Sequence, residues 1–161
     1  MTEMPEPLSV PVRTDPGTQA ATRLMSSLVR IRAGGEHTAG AFALLDHQAE
    51  RGYAAPQHVH EHEDETFFVL DGSVRFLVGD DDYTAGPGVV AVLPRGIPHS
   101  LVVTSPTARL LNLVTPAGFE RFVLEAGTPL EAPAGAPPGI ETLTALGARF
   151  GIEIIGPPPA P

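Results

Sequence analysis

His58 and His60 stand two residues apart, a spacing that on a β-strand projects both imidazoles to one face, where they can share a single metal ion. Five residues on comes Glu65, with His62, Glu63 and Asp64 as nearby competitors; Glu63 is next on the inward face if the strand runs straight on from His60. His99 follows the turn-rich stretch Pro94-Arg95-Gly96-Ile97-Pro98 and leads into Leu101-Val102-Val103, so it begins a strand and faces inward with Leu101 and Val103. A single histidine is ordinarily a surface or hydrogen-bonded residue. Three together with a carboxylate, nitrogen and oxygen without sulfur, suit one divalent first-row metal with positions left for water or substrate.

The elements that must carry these residues are short apolar runs at 40–47, 53–60, 65–70, 73–78, 89–93, 99–104 and 109–115, separated by Gly, Pro, Asp and Ser. Seven such runs predict an all-β sandwich or barrel. Asp71-Gly72 reads as a two-residue hairpin turn. In that register Val69 faces Val74, Phe67 faces Phe76 and Glu65 faces Val78, so Glu65 is the one carboxylate on an apolar face and needs a cation or donors to satisfy it. Residues 22–32 are compatible with a short helix or a strand, and the alternation about Val29 and Ile31 favours strand. The acidic run Gly79-Asp80-Asp81-Asp82 reads as a solvated hairpin turn rather than a calcium site.

Beyond Pro116 the texture changes. Phe119, Phe122, Val123 and Ala126 are spaced for one face of a short helix that Gly127 ends, residues 129–139 form a proline-rich linker, and residues 140–149 suit a second short helix before a frayed proline-rich end. The chain thus divides into a Pro-rich N-terminal arm (1–20), a β-barrel (21–116) and a C-terminal helical extension with its tail (117–161).

A length of 161 residues fits one domain, 42% hydrophobic residues support a core, and 17 Gly with 18 Pro argue against a helical bundle. The net charge of -9 and the scattering of the basic residues argue against nucleic-acid or membrane-surface partners. All ten basic residues are arginine and there is no cysteine, which excludes Schiff-base and thiolate catalysis, disulfides and thiolate metal sites. The first residues hold no basic patch followed by an apolar stretch, and no apolar run nears the ~20 residues of a membrane span. The expectation is a soluble, cytoplasmic protein. The strand-like segment at 22–32, able to cover a neighbour's sheet edge, suggests a homodimer.

At the candidate ligands a family resemblance becomes specific. Gly52-x5-His58-x-His60-x4-Glu65-x6-Gly72 resembles the first cupin motif at every fixed position, and Gly88-x5-Pro94-x-Gly96-x2-His99 resembles the second. Residues 73–87 separate them, a compact spacing like that of small single-domain cupins. The resemblance implies a cupin-type jelly-roll β-barrel (double-stranded β-helix) with short C-terminal helices, and metal ligands at His58, His60, Glu65 and His99, with Glu65 preferred over its neighbours. The second motif usually closes with Asn where this chain has Val103, which removes an inward polar group and makes the pocket drier.

The stretches 65–72 and 115–120 look like bacterial monocupins of the quercetin 2,3-dioxygenase-like kind. That resemblance implies a divalent metal (iron, nickel, manganese, cobalt, copper or zinc), dioxygen, and oxidative ring cleavage of a flavonol-like or other enolisable aromatic substrate with release of carbon monoxide, Glu65 being both ligand and catalytic base. Phe67, Val69, Phe76, Leu101 and Val103 are the expected pocket lining. The alternatives within the family are a metal-dependent isomerase or cyclase of natural-product metabolism that uses no O2, and a non-catalytic small-molecule binder.

Overall fold

The computed structural model describes residues 10–161. Two antiparallel sheets face each other in a jelly roll. The larger has the order β11-β1-β2-β3-β10-β5-β8 and the smaller β12-β4-β9-β6-β7. Their strands are β1 (Ala21–Leu24), β2 (Ser27–Ala33), β3 (Ala43–Glu50), β4 (Ala54–His60), β5 (Asp64–Asp71), β6 (Val74–Val78), β7 (Asp81–Ala85), β8 (Val90–Leu93), β9 (His99–Val103), β10 (Thr107–Thr115), β11 (Thr128–Pro129) and β12 (Ile152–Gly156), with helices α1 (Gly35–Thr38), α2 (Phe119–Ala126) and α3 (Ile140–Arg149). The fold is the expected all-β jelly roll with two short helices after the barrel. No helix among the described residues is long and apolar enough to cross a membrane.

Period-two alternation turns one face of each long strand inward. Along β5, Glu65, Phe67 and Val69 are buried while Thr66 and Phe68 are half-exposed; along β10, Ala108, Leu110, Asn112 and Val114 are buried. Two apolar clusters fill the interior. One holds Phe67, Val69, Phe76, Leu101 and Val103 between the sheets. The other joins Leu45 and Val114 to Phe119, Phe122, Leu143 and Ile152, so the C-terminal helices and β12 close one end of the barrel. A belt of polar side chains lies between the clusters, with His47 next to Phe67 on one side and His60 against Phe119 on the other.

The Asp71-Gly72 turn is not a hairpin. β5 pairs with β10 and β8, whereas β6 pairs with β7 and β9, so the turn carries the chain from one sheet to the other. After Gly72 the backbone binds the loop beyond β9: Ser73 N donates to Ser105 Oγ at 2.7 Å and Thr104 N donates to the Ser73 carbonyl at 3.0 Å. Inward parity survives this change. Phe67 and Phe76, expected side by side, meet across the barrel with ring centroids 5.6 Å apart.

Residues 22–32 form a hairpin, β1 and β2, bonded to β3 of the same sheet, with Met25-Ser26 as its loop. Of the proline-rich arm at 1–20, residues 1–9 lie outside the described residues. Its remainder is tied to β2, where Thr14 Oγ1 donates to the Arg32 carbonyl at 2.5 Å and Arg32 Nη1 donates to Gln19 Oε1 at 2.9 Å. In the acidic run, Gly79-Asp80 is the loop and Asp81 and Asp82 open β7, Asp82 accepting two hydrogen bonds from Arg75 at 2.7 and 2.8 Å. β7 and β12 are strands that the sequence reading did not assign.

Candidate metal centre

β4 places His58 and His60 on one inward face, β9 presents His99 opposite His58 in register, and β5 brings Glu65 from the other sheet. The structure brings these four together: one donor atom from each lies within 4.8 Å of the others. Glu65 Oε2 is 2.8 Å from His99 Nε2 and 3.2 Å from His60 Nε2. His58 and His99 pack edge to face with ring centroids 4.4 Å apart.

Each imidazole is aimed by an acceptor behind it. His58 Nδ1 donates to the Pro56 carbonyl at 2.7 Å and His99 Nδ1 to the Ile97 carbonyl at 3.0 Å, while His60 Nδ1 donates to Glu63 Oε2 at 3.3 Å. Carbonyl and carboxylate oxygens only accept, so each Nδ1 carries the proton and each Nε2 is turned to the centre.

Burial pushes the His58 imidazole down to about 4. Burial opposes charge on His60 too, but Glu65 and then Glu63 outweigh it and raise that group to about 9. Burial works to raise Glu65, yet His60 and His99 hold it well below the usual carboxylate range.

This donor set fits a divalent metal. His60 Nε2 is buried and finds no hydrogen-bond partner among the described residues, although it points at a carboxylate oxygen 3.2 Å away. Donors each about 2.1 Å from a common ion stand roughly 3–4 Å apart, so donors up to 4.8 Å apart must close by about 1 Å to seat all four.

The competitors for the carboxylate position go elsewhere. Glu63 is buried behind His60, Asp64 is held by Arg95 at 2.8 Å, and His62 is exposed. Burial counts for little at Asp64: the Arg95 guanidinium lowers its carboxyl.

Of the expected pocket lining, Phe67 and Leu101 border a cavity of about 40 Å³ against His58, Glu65 and His99. Val69, Phe76 and Val103 do not line it; they are packed deeper in the apolar cluster between the sheets. Tyr53, Ala55, His58 and Phe119 are shared with a second, almost wholly apolar cavity of about 70 Å³ that also touches Met25, Phe122 and Leu143.

Sequence reasoning missed His47, Tyr53, Asn112 and Phe119 in this lining. For His47 a signal existed, since alternation along 40–47 puts it on one face with Ala43 and Leu45. For Asn112 there was none: β10 is apolar on both faces about it. Asn112 also corrects the expectation of a drier lumen. Fully buried, it donates from Nδ2 to Glu65 Oε1 at 2.8 Å and supplies an inward amide from another strand.

Residues 47–116 match the family model for the cupin domain, the stretch of the jelly roll that carries both motifs. Among characterised proteins it is 27% identical over 131 residues to the quercetin 2,3-dioxygenase of Bacillus subtilis (strain 168), a match covering 81% of this chain and 39% of that protein. The chain therefore spans about two fifths of the length of that curated relative. Among solved structures, KdgF from Halomonas sp. superposes with a TM-score of 0.61 at 17% identity, over 68% of this chain and 99% of that one. The polyketide cyclase RemF from Streptomyces resistomycificus gives a TM-score of 0.55 at 25% identity, over 65% and 78% of the two chains.

Proposed function

We propose that this protein is a metal-dependent cupin dioxygenase that opens the oxygen-bearing ring of a flavonol-like or other enolisable aromatic compound. The observation that carries the reading is a three-imidazole, one-carboxylate cluster beside two small, largely apolar cavities. The likeness to a quercetin 2,3-dioxygenase supports it. His58, His60, Glu65 and His99 would hold the ion, which as a Lewis acid stabilises an enolate oxygen.

The chain's own residues supply the rest. Glu65, fixed by Asn112 at Oε1 and facing His60 and His99 at Oε2, accepts the substrate's hydroxyl proton. Phe67, Leu101 and Phe119 exclude water around it. Cavities of about 40 and about 70 Å³ are smaller than a three-ring ligand, so binding requires lining side chains such as Phe119 and Met25 to move aside.

The test is oxygen uptake and carbon monoxide release on adding 3-hydroxyflavone or quercetin to metal-loaded protein, against chelated protein and His58→Ala. Oxygen uptake only in the loaded wild-type protein is expected, with His58→Ala purified free of metal. Turnover without oxygen overturns the dioxygenase and favours the second reading, a cyclase or isomerase, which the 25% identity to a polyketide cyclase supports. A homodimer in the cytoplasm completes the proposal, and light scattering after gel filtration tests its oligomeric part.

A further inference from the structure

Two buried polar side chains in the lumen take no part in the four-donor cluster. His47 is 5% exposed and Asn112 is fully buried, and both line the cavity of about 40 Å³ with Glu65, His58 and His99. His47 Nε2 and Asn112 Oδ1 have no hydrogen-bond partner among the described residues. Leaving such atoms unpaired in an apolar interior costs stability, and sites that bind ligands are where such a cost is retained.

The two are neighbours by register. His47 on β3 lies opposite Leu110 of β10, and Asn112 is the next inward residue along β10, a diagonal pair about 7 Å apart. Glu65 repeats the step on β5, where it lies opposite Val114. The larger sheet therefore offers a row of three polar side chains, His47, Asn112 and Glu65, to the histidines of the smaller sheet.

The polarity of the row follows from its end. Asn112 gives its Nδ2 to the Glu65 carboxylate, which only accepts, so the amide oxygen is turned away as a free acceptor. His47 Nε2, on a neutral ring, is donor or acceptor according to tautomer. A hydroxyl group both donates and accepts, and satisfies the two atoms together.

We propose that His47 and Asn112 form a hydroxyl-binding subsite beside the candidate metal centre, which fixes the orientation of a ligand whose ring lies in the adjoining apolar cavity. The subsite rests on the lumen being a substrate site, as proposed above, but not on oxygen chemistry.

The experiment titrates phenol and benzene into zinc-loaded protein, followed by NMR, for the wild type, His47→Leu, His47→Gln and Asn112→Leu, with zinc content measured in each. Phenol is expected to bind the wild type at least tenfold more tightly than benzene. His47→Leu and Asn112→Leu should each erase most of that preference with zinc retained. His47→Gln, which keeps a polar end at similar reach, should restore part of it. His47→Leu should also melt at a higher temperature than the wild type, the reverse of what a purely structural histidine gives.

No preference for phenol in the wild type means the two atoms hold only water and overturns the subsite, as does an undiminished preference in both leucine variants or loss of zinc from them. Failure of flavonol turnover with the phenol preference intact overturns the dioxygenase and leaves the subsite standing.

Discussion

Glu63 Oε2 lies 3.3 Å from Nδ1 of His60, and both side chains are buried. A carboxylate behind a metal-facing imidazole fixes ring orientation and raises the basicity of the other nitrogen. Glu63→Ala should weaken metal binding by about 10–100-fold, and Glu63→Gln, which still offers an oxygen acceptor, by less. Competition against a chromophoric chelator, with Co²⁺ absorption reporting the ligand field, measures both. Equal affinity in Glu63→Ala and the wild type would show that the orientation of His60 is set by packing against Phe119 alone.

Asp46 gives a pH-dependent contribution from the opposite face of β3 to His47. It is 1% exposed and accepts hydrogen bonds from Arg32 at 2.6 and 3.0 Å and from Arg109 at 2.8 and 3.1 Å. Burial works to raise its carboxyl, but the Arg109 and Arg32 guanidiniums outweigh it and the group is held below its ordinary value. A depressed folded-state value stabilises the fold fully above the unfolded value near 4, and the benefit is lost as pH falls through the folded value. Asp46→Asn should therefore cost about 2 kcal/mol at neutral pH. Its stability should converge on that of the wild type as pH falls through the depressed folded-state value, as read by urea unfolding across pH.

How much of this was legible in the sequence depended on whether the signal was local. The spacing of His58, His60, Glu65 and His99 encodes a face and a strand, and the structure brings those residues together. Apolar alternation placed Phe67, Val69 and Phe76 inward, and helical spacing placed Phe119 and Phe122 on α2. What was not legible was which sheet each strand joins, because Asp-Gly permits a tight turn without choosing the partner of the strand that follows. β12 was hidden for a similar reason: a short apolar stretch after Gly151 becomes a strand only because the edge of β4 accepts it, Ile152 facing His60 and Ile154 facing His58. Asn112 was invisible because its immediate neighbours on both faces of the strand, Leu110, Leu111, Leu113 and Val114, are apolar and no alternation marks it as inward.

Phe119 stands between the two cavities and packs edge-on against His60 with ring centroids 5.0 Å apart. Phe119→Ala should join the cavities, lower stability by about 3 kcal/mol and admit larger ligands. Opposite changes in thermal midpoint and in affinity for 3-hydroxyflavone are expected. A variant that loses stability without binding the flavonol more tightly would place the obstruction at Met25 instead.

Gly72 turns the chain from one sheet to the other and makes the inward row of β5 face the inward row of β6. Its φ of +80° lies in the left-handed region, and a Cβ there would strike the Thr107 carbonyl oxygen and come within 2.7 Å of Ala108 Cα. Those are backbone atoms of β10, the strand that carries Asn112 and borders β5, so neither can yield without disturbing the ladder that holds Glu65. Gly72→Ala should cost roughly 2–4 kcal/mol, more than the loss of glycine flexibility alone would return. Because the displaced strand abuts the cluster, weaker metal binding should accompany the lower urea midpoint. Gly86→Ala, at a turn where nothing lies within 4 Å of the added carbon, is the control and should change neither.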